Sequence, residues 1–201
     1  MAVPAYPLRS EEGGGNWPAQ GAWTYEDYLR LPDDGNRYEV IRGVLYVTAA
    51  PSIEHQFAAG QVTRHFVAFV SDNRLGLVFP APFDVRLPHG IGTPVQPDLV
   101  VFLSGNEPRR GSTSEHVPDL VLEILSPSTR RRDLTTKLEA YRDAGIPEYW
   151  IVDTKSRSVV VYVLGEGRYT ELVRGGVGDS VHSSVLPGFR LKVDDLFLPA
   201  E

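Results

Sequence analysis

The stretches QPDLVVF (residues 96–102) and LVLEIL (residues 120–125) decide the fold, because both are apolar enough to lie inside a β-sheet. Strands that are hydrophobic on both faces are normally covered on both sides. Each stretch nevertheless carries one carboxylate, Asp98 in the first and Glu123 in the second. A buried carboxylate is strongly unfavourable unless a partner compensates for its lost hydration. The two acids therefore predict a charged site within the sheet.

A lysine on the following segment is the third member of this predicted site. The sequence after LVLEIL predicts a helix that begins near Ser128 or Thr129 and ends at Gly145, with Pro147 just beyond. At 100° per residue, Lys137 borders the apolar stripe of this helix. The stripe comprises Leu134, Leu138 and Tyr141. The ammonium of Lys137 can therefore reach the sheet while its aliphatic stem packs.

Strand geometry decides which acids can share one metal ion. Asp119 and Glu123 are four residues apart on one strand, a distance of about 13 Å, which is too long for a shared ion. Asp98, on a neighbouring strand, can lie directly across from Glu123 with a Cα separation of about 5 Å. Mg²⁺ or Mn²⁺ binds one or two carboxylates, keeps several waters and takes substrate phosphate. A nearby lysine stabilises developing negative charge or helps to deprotonate water, so the set indicates phosphodiester hydrolysis.

The rest of the chain predicts an α/β (α+β) domain with a mixed sheet. Arg37–Ile41 and Val44–Val47 form a hairpin pattern, and Ser52 caps a long amphipathic helix. Further strands are expected at residues 77–80, 83–87, 98–103, 120–125, 148–152, 158–164 and 168–173, with a closing segment up to Phe197. Residues 1–22, rich in Gly, Pro and small side chains, predict a flexible N-terminal arm, and residues 23–201 predict a single domain.

Composition narrows the functional classes. Cysteine is absent, which excludes disulfides, thiolate nucleophiles and cysteine-based zinc sites. The five histidines show no metal-ligand spacing, and no apolar run is long enough for a membrane span. We therefore expect a cytoplasmic protein with no membrane partner. The net charge of −6 argues against a protein that coats nucleic acid, but less against an enzyme with one small site.

Three consecutive arginines, Arg130, Arg131 and Arg132, fall in the first turn of the predicted helix. Cations at this end oppose the helix dipole unless an anion lies nearby. Nucleic-acid phosphate is one candidate anion, and the acidic residues Glu115 and Asp119 are the alternative. Ser126, in the turn before the helix, is a further candidate contact for nucleic acid, although shaping the turn is the simpler role.

These residues belong to a longer pattern that resembles the PD-(D/E)XK nuclease superfamily, and most closely its bacterial Uma-two branch of restriction-endonuclease-like proteins. The resemblance extends from about Tyr25 to Val163. It is carried by Tyr25–Leu31, YEVIRG (38–43), Pro51-Ser52 with His55, QPD (96–98), LEILSPST (122–129), Asp133 with Lys137, and GIPEYWIVD (145–153). The fold it implies is a mixed β-sheet flanked by helices, with an N-terminal hairpin and extra C-terminal strands.

The resemblance also implies residue roles. Asp98 and Glu123 would be ligands of Mg²⁺ or Mn²⁺, with the backbone carbonyl of Ile124 and the carboxylate of Glu39 as further candidate ligands. The superfamily signature places its lysine two residues after Glu123, where this chain has Leu125. In the Uma-two branch the following helix supplies this lysine, which here corresponds to Lys137. The implied activity is an endonuclease acting on DNA.

Two other classes of function remain open at this point. One is a nucleic-acid-binding protein of the same fold without cleavage, in which Glu123 and Lys137 form a structural ion pair. The other is an assembly protein in which the C-terminal strands join two copies of the chain. We expect the protein to be a homodimer, whichever of these functions it has. Phosphate-binding loops, nucleophile elbows and zinc-protease motifs are absent from the sequence.

Overall fold

The computed structural model describes residues 17–48, 50–88, 92–108 and 116–199. Most of the predicted N-terminal arm, residues 1–16, lies outside this part of the chain. Within the described residues, no helix combines the length and apolar character needed to cross a bilayer.

The N-terminal half begins with a short helix and a hairpin. Helix α1 (Tyr25–Tyr28) starts with a capping box between Thr24 and Asp27. Strands β1 (Arg37–Ile41) and β2 (Val44–Thr48) form the predicted hairpin. Helix α2 (Ile53–Asp72) then begins at the cap Ser52, whose hydroxyl accepts a hydrogen bond from the His55 N–H.

Six strands form the central sheet, in the order β10-β9-β8-β7-β6-β3. Their bounds are β3 (Gly76–Pro80), β6 (Leu99–Leu103), β7 (Leu120–Leu125), β8 (Glu148–Asp153), β9 (Ser158–Gly165) and β10 (Arg168–Gly175). Strands β7 and β8 are parallel, whereas the other pairs are antiparallel, so the sheet is mixed as expected.

A second sheet was only partly foreseen. It has four strands in the order β2-β1-β5-β4, where β4 is Val85–Leu87 and β5 is Gly92–Val95. The predicted hairpin therefore continues into a larger sheet. Strand β5 was missed because glycine and proline, here Gly92 and Pro94, are depleted in strands, and its pairing partners are distant in sequence.

The central sheet has a hydrophobic core on each face. On one face, Leu120, Leu122 and Ile124 of β7 pack in the core that receives helix α2 and the C-terminal segment. On the other face, Val121 and Leu125 pack in the core that receives the helix after β7. Because side chains alternate along a strand, Glu123 shares this second face. Asp98 directly precedes β6. By the same alternation it falls on the face of Val100 and Phe102, which pack in the second core.

Helix α3, which joins β7 to β8, is not a regular α-helix. It is α-helical at Arg130–Arg132, π-helical at Asp133–Lys137 and α-helical again at Leu138–Asp143. Thr129 takes the cap position without a side-chain cap bond, and Gly145 follows the helix with φ of +80°. The predicted extent is therefore confirmed, but the π-helical turn is an addition that apolar periodicity does not indicate.

The C-terminal segment closes one face of the sheet. Strands β11 (Ser180–His182) and β12 (Arg190–Lys192) pair with each other, and a 3₁₀ turn follows at Val193–Leu196. Glu148, at the start of β8, is fully buried and anchors the loop between these strands. Its carboxylate accepts hydrogen bonds from the Trp150 indole, the hydroxyls of Ser183 and Ser184, and two backbone N–H groups of the same loop.

Candidate active site

Asp98 and Glu123 lie across from each other where β6 begins and β7 ends. The register pairs Leu99 with Leu122, so the next residues outward, Asp98 and Glu123, oppose each other on adjacent antiparallel strands. The Ile124 N–H donates a 2.8 Å hydrogen bond to Asp98 Oδ2, which ties the carboxylate to β7. Asp119 is engaged elsewhere, because its Oδ2 accepts from the Leu103 N–H.

Glu123 is bound by two side chains of helix α3. The Lys137 ammonium is 2.7 Å from Glu123 Oε1, and the Tyr141 hydroxyl donates to the same oxygen at 2.6 Å. Lys137 is 2% exposed and Glu123 is 3% exposed, so the pair is fully inside the protein. The structure therefore brings the predicted lysine into direct contact with the predicted carboxylate.

Glu39 of β1 joins the same ammonium from the other sheet. Its Oε1 is 2.8 Å from Lys137 Nζ and also accepts a hydrogen bond from the Gln96 N–H at 2.8 Å. Its Oε2 is 3.1 Å from the Arg132 guanidinium. Asp133 contributes a longer contact of 3.9 Å to Lys137. The structure therefore buries the Glu39 side chain in the ion cluster.

Asp98 has its own set of partners at the edge of this cluster. The His55 imidazole, at the start of α2, places Nε2 at 3.3 Å from Asp98 Oδ2. The Arg37 guanidinium, on β1, lies 3.5 Å from Asp98 Oδ1. Burial alone would raise the pKa of Asp98, but the hydrogen bond from His55 and the nearby charges outweigh it, so the pKa lies below its usual range. Asp98 is therefore a carboxylate at neutral pH.

The pKa values of the other acids in the cluster are shifted in different directions. Burial opposes ionisation of Glu39, but Lys137 and Arg132 outweigh it and lower its pKa. Burial, with a smaller contribution from three neighbouring carboxylates, raises the pKa of Glu123 to about 8 against the opposing effect of Lys137. Burial also raises the pKa of Asp133. Loss of hydration disfavours the charged form of Lys137, but Glu123 and Glu39 overcome this and raise its pKa, so the lysine keeps its proton.

These side chains line a pocket of about 290 Å³. Strand β1, the first turn of α2, residues Gln96 and Asp98, the end of β7, the 126–129 turn and helix α3 form its walls. The pocket thus lies where both sheets and two helices meet. Hydroxyl groups of Ser52, Ser126 and Thr129 and the cations Arg37 and Arg132 border it, together with the acids already described.

The arginine triplet at the start of α3 separates into different surroundings. Arg132 points into the pocket, where it contacts Glu39 and the Thr48 hydroxyl. Arg130 pairs instead with Asp153 at 2.6 Å and is about half exposed. Arg131 is exposed on the helix surface. Ser126 borders the pocket and bonds with Ser128 and Thr129, so it shapes the turn and also faces the site.

The donor set suits a hard divalent cation. Two carboxylates on opposed strands at a pocket wall match the ligand set of Mg²⁺, which keeps several of its waters. Within the described residues, no group of three or more His, Asp or Glu side chains is arranged to hold a metal. Any ion here would therefore rely on two side chains, backbone and water. Oxygen donors favour Mg²⁺ or Mn²⁺ over softer metals.

Sequence reasoning missed Arg37, Gln96 and Tyr141 as members of the site. A signal for Arg37 was available, because alternation along β1 places residues 37 and 39 on one face. Tyr141 was assigned to the apolar stripe, which is where it lies, but the bond from its hydroxyl to Glu123 depends on the rotation of the helix. The roles of Gln96 and His55 follow from long-range contacts that no local pattern contains.

Comparisons with known proteins identify a family for the chain and a solved structure with a similar fold. A family model described as Uma2, putative restriction endonuclease, matches residues 25–194. The fold is similar to the crystal structure of a putative nuclease belonging to DUF820 from Anabaena variabilis ATCC 29413. That similarity has a TM-score of 0.71 at 22% sequence identity and covers 87% of this chain and 97% of the other. No curated protein matches. The matched region includes both sheets and the site, and the chain belongs to the Uma2 family of putative restriction endonucleases.

Proposed function

We propose that this protein is a divalent-metal-dependent endonuclease that hydrolyses phosphodiester bonds, with DNA as its substrate. The observation that carries the proposal is the opposition of Asp98 and Glu123 at the pocket wall, with the Lys137 ammonium bonded to Glu123. Family membership supports the nuclease class. Metal dependence is proposed from the chemistry of these side chains, and DNA as the substrate is proposed from the description of the family as putative restriction endonucleases.

Asp98 and Glu123 would hold Mg²⁺ or Mn²⁺, which when bound would activate water and offset the charge of the phosphate. The Ile124 carbonyl is a further candidate ligand. The side chain of Ile124 packs in the core on the opposite face of β7, so its main chain is the part that borders the pocket. Glu39 is bonded to Lys137 and Arg132, which favours a role in holding these cations over direct metal ligation.

Lys137 acts in this proposal as a fixed cation. Its pKa is raised by Glu123 and Glu39, so it does not serve as a base near neutral pH. A charged ammonium that is already held by three acids needs little reorganisation when negative charge develops on the phosphate. In the reaction, a water oxygen forms a bond to phosphorus and one P–O ester bond breaks. The proton released by the water ends on the leaving hydroxyl.

Cleavage of DNA by purified protein tests this proposal. We expect cleavage of DNA with Mg²⁺ or Mn²⁺ and none with chelator, and we expect Asp98→Ala to abolish it. Asp72→Ala is the matched control, because Asp72 is exposed at the far end of α2. Absence of cleavage of both DNA and RNA in the wild-type protein, with either metal, would contradict the enzyme proposal.

The non-catalytic alternative makes a different prediction for the same proteins. If Glu123 and Lys137 are only a structural ion pair, added Mg²⁺ or Mn²⁺ leaves the melting temperature unchanged and Glu123→Gln lowers it. A metal-binding site predicts that either metal raises the melting temperature of the wild-type protein but not that of Asp98→Ala.

A further inference from the structure

Arg37 is a cation of the pocket that has no part in the proposed metal chemistry. It begins strand β1 and borders the pocket together with Asp98. Its side chain is 27% exposed, whereas that of Lys137 is 2% exposed. Arg37 is therefore both part of the site and accessible to a molecule that enters it.

Gln96 holds the Arg37 guanidinium in one orientation. Arg37 Nη2 donates to the Gln96 carbonyl at 2.9 Å, and Nε donates to the Gln96 side-chain oxygen at 3.3 Å. The Gln96 amide is itself oriented, because its NH₂ group donates to Asp84 at 2.7 Å. The third nitrogen of the guanidinium, Nη1, is left on the side of Asp98.

The positive charge of Arg37 is only partly compensated by these contacts. Two of its three nitrogens bond to the neutral amide groups of Gln96. The contact of Nη1 with Asp98 Oδ1 is long, at 3.5 Å, and the other oxygen of Asp98 is already engaged by the Ile124 N–H and His55. A guanidinium built only to neutralise Asp98 would be expected to form a short, bidentate pair with it.

We propose that Arg37, oriented by Gln96, binds a non-bridging oxygen of the nucleic-acid phosphate that enters the pocket beside Asp98. Guanidinium groups suit this task because their planar donors match phosphate oxygens and their charge is permanent. This inference rests on the proposed function, since it assigns the substrate contact of the same site. It adds a substrate-binding residue that the metal ligands and Lys137 do not supply.

Salt dependence of binding provides a test that does not require cleavage. Binding of fluorescein-labelled single-stranded and duplex DNA is measured by fluorescence anisotropy in EDTA, from about 50 to 200 mM salt. Each phosphate neutralised by the protein contributes about 0.7 to the log–log slope for a single strand and about 0.9 for a duplex. Arg37→Gln should reduce the slope by this amount and weaken binding about tenfold at the lowest salt.

Arg174→Gln is the matched control, because it removes the same charge from β10, where Arg174 is 55% exposed and paired with Glu171. Its slope and affinity should equal those of the wild-type protein. Arg37→Lys keeps the charge but not the fork of donors. Arg37→Lys should keep the salt dependence of binding, weaken the binding itself and lower the cleavage rate with Mg²⁺. If Arg37→Gln does not fold, Arg37→Lys is the variant that tests the phosphate contact.

The possible failures of the two proposals differ. If Arg37→Gln binds with an unchanged slope, or Arg174→Gln changes it equally, Arg37 does not contact phosphate, whatever the cleavage activity of the wild-type protein. If Arg37→Gln does not fold and Arg37→Lys binds DNA with unchanged affinity, the same conclusion follows. If the wild-type protein neither binds nor cleaves nucleic acid, the proposed function fails and this inference fails with it.

Discussion

At the scale of single residues, the site is defined by an imbalance of charge. Four acidic side chains and three cationic side chains lie together at the pocket. The acids are Glu39, Asp98, Glu123 and Asp133, and the cations are Arg37, Arg132 and Lys137. Burial raises the pKa of Glu123, and the three neighbouring acids add to this effect because they disfavour a fourth negative charge. A divalent cation would relieve the same imbalance.

The raised pKa of Glu123 makes a prediction about stability and pH. Its pKa of about 8 in the folded protein lies above the ordinary value of 4.5, so the folded state binds more protons across that interval. The free energy of unfolding should therefore fall as pH rises from about 5 to about 8, by at most about 1.4 kcal/mol per pH unit from this residue. Glu123→Gln has no titratable group at this position, so this contribution to the pH dependence of its stability is absent.

Urea unfolding of the wild-type protein and Glu123→Gln in EDTA measures this effect. Relative to the variant, the wild-type protein should lose stability steadily between pH 5 and pH 8. Other groups that titrate, including Asp133, are present in both proteins and largely cancel in the difference. Parallel pH profiles for the two proteins would show that Glu123 is ionised throughout and would contradict the assignment.

Lys137 should be important for folding as well as for cleavage. Lys137→Met keeps most of the buried volume but leaves Glu39 and Glu123 without their shared cation. We expect a loss of about 3–5 kcal/mol in the free energy of unfolding near neutral pH, together with loss of cleavage. Lys155→Met, at an exposed position, is the control and should change stability by less than about 0.5 kcal/mol. Equal stability of both variants would contradict the stabilising role of Lys137 in the ion cluster.

At the scale of elements, helix α3 shows how far periodicity predicts a site. The 3.6-residue pattern located this helix and brought Lys137 near the sheet. It also predicted Leu134, Leu138 and Tyr141 as the buried stripe. Tyr141 is buried as predicted, whereas Leu134 and Leu138 are only partly buried and Asp133 and Lys137 are inside. The π-helical turn and the ion cluster favour this rotation, and the Tyr149 hydroxyl donates to the carbonyl of Asp133 within the turn. Because those partners come from distant strands, a local pattern cannot contain them.

The contact between β8 and the C-terminal loop depends on Glu148. This fully buried carboxylate accepts charge-assisted hydrogen bonds from Trp150 and from the loop that contains Ser183 and Ser184. Glu148→Gln replaces an acceptor by an amide donor against these groups. We expect a loss of about 2–5 kcal/mol in the free energy of unfolding, measured by urea denaturation.

Glu166→Gln is the control for Glu148, since Glu166 is exposed in the turn between β9 and β10. It should leave stability within about 0.5 kcal/mol of the wild-type value. A Glu148→Gln protein as stable as this control would mean that the loop is held by its apolar contacts alone.

At the scale of the whole molecule, the class and most strands were predictable from sequence, but the division into two sheets was not. The apolar strands β6 and β7 have patterns that only a sheet interior explains, so Asp98 and Glu123 could be identified as unusual. Strand spacing then excluded Asp119 and allowed Asp98 to lie across from Glu123, which is the arrangement that the register of β6 and β7 gives. The contacts of Arg37 and His55 with Asp98 depend on how the second sheet and α2 close over the first, which is a tertiary property.

The predicted homodimer belongs to this scale and stays a prediction. Strand β10 is an edge of the six-stranded sheet, and Leu172 on it and Val177 beyond it are exposed apolar side chains. Unpaired edge strands are able to join a second chain. Light scattering should give twice the chain mass of 22.2 kDa, and Leu172→Lys should shift the protein towards monomer. A monomeric mass for the wild-type protein at micromolar concentrations would contradict the dimer.

The location of bound metal tests the central claim most directly. Crystals of the protein soaked in Mn²⁺ should show an anomalous scattering peak between the carboxylates of Asp98 and Glu123, and crystals of Asp98→Ala should lack it. The Lys137 ammonium should remain within contact distance of Glu123, as it is in the present structure. A wild-type crystal with no anomalous peak in the pocket, or with manganese bound only elsewhere on the protein, would contradict the account.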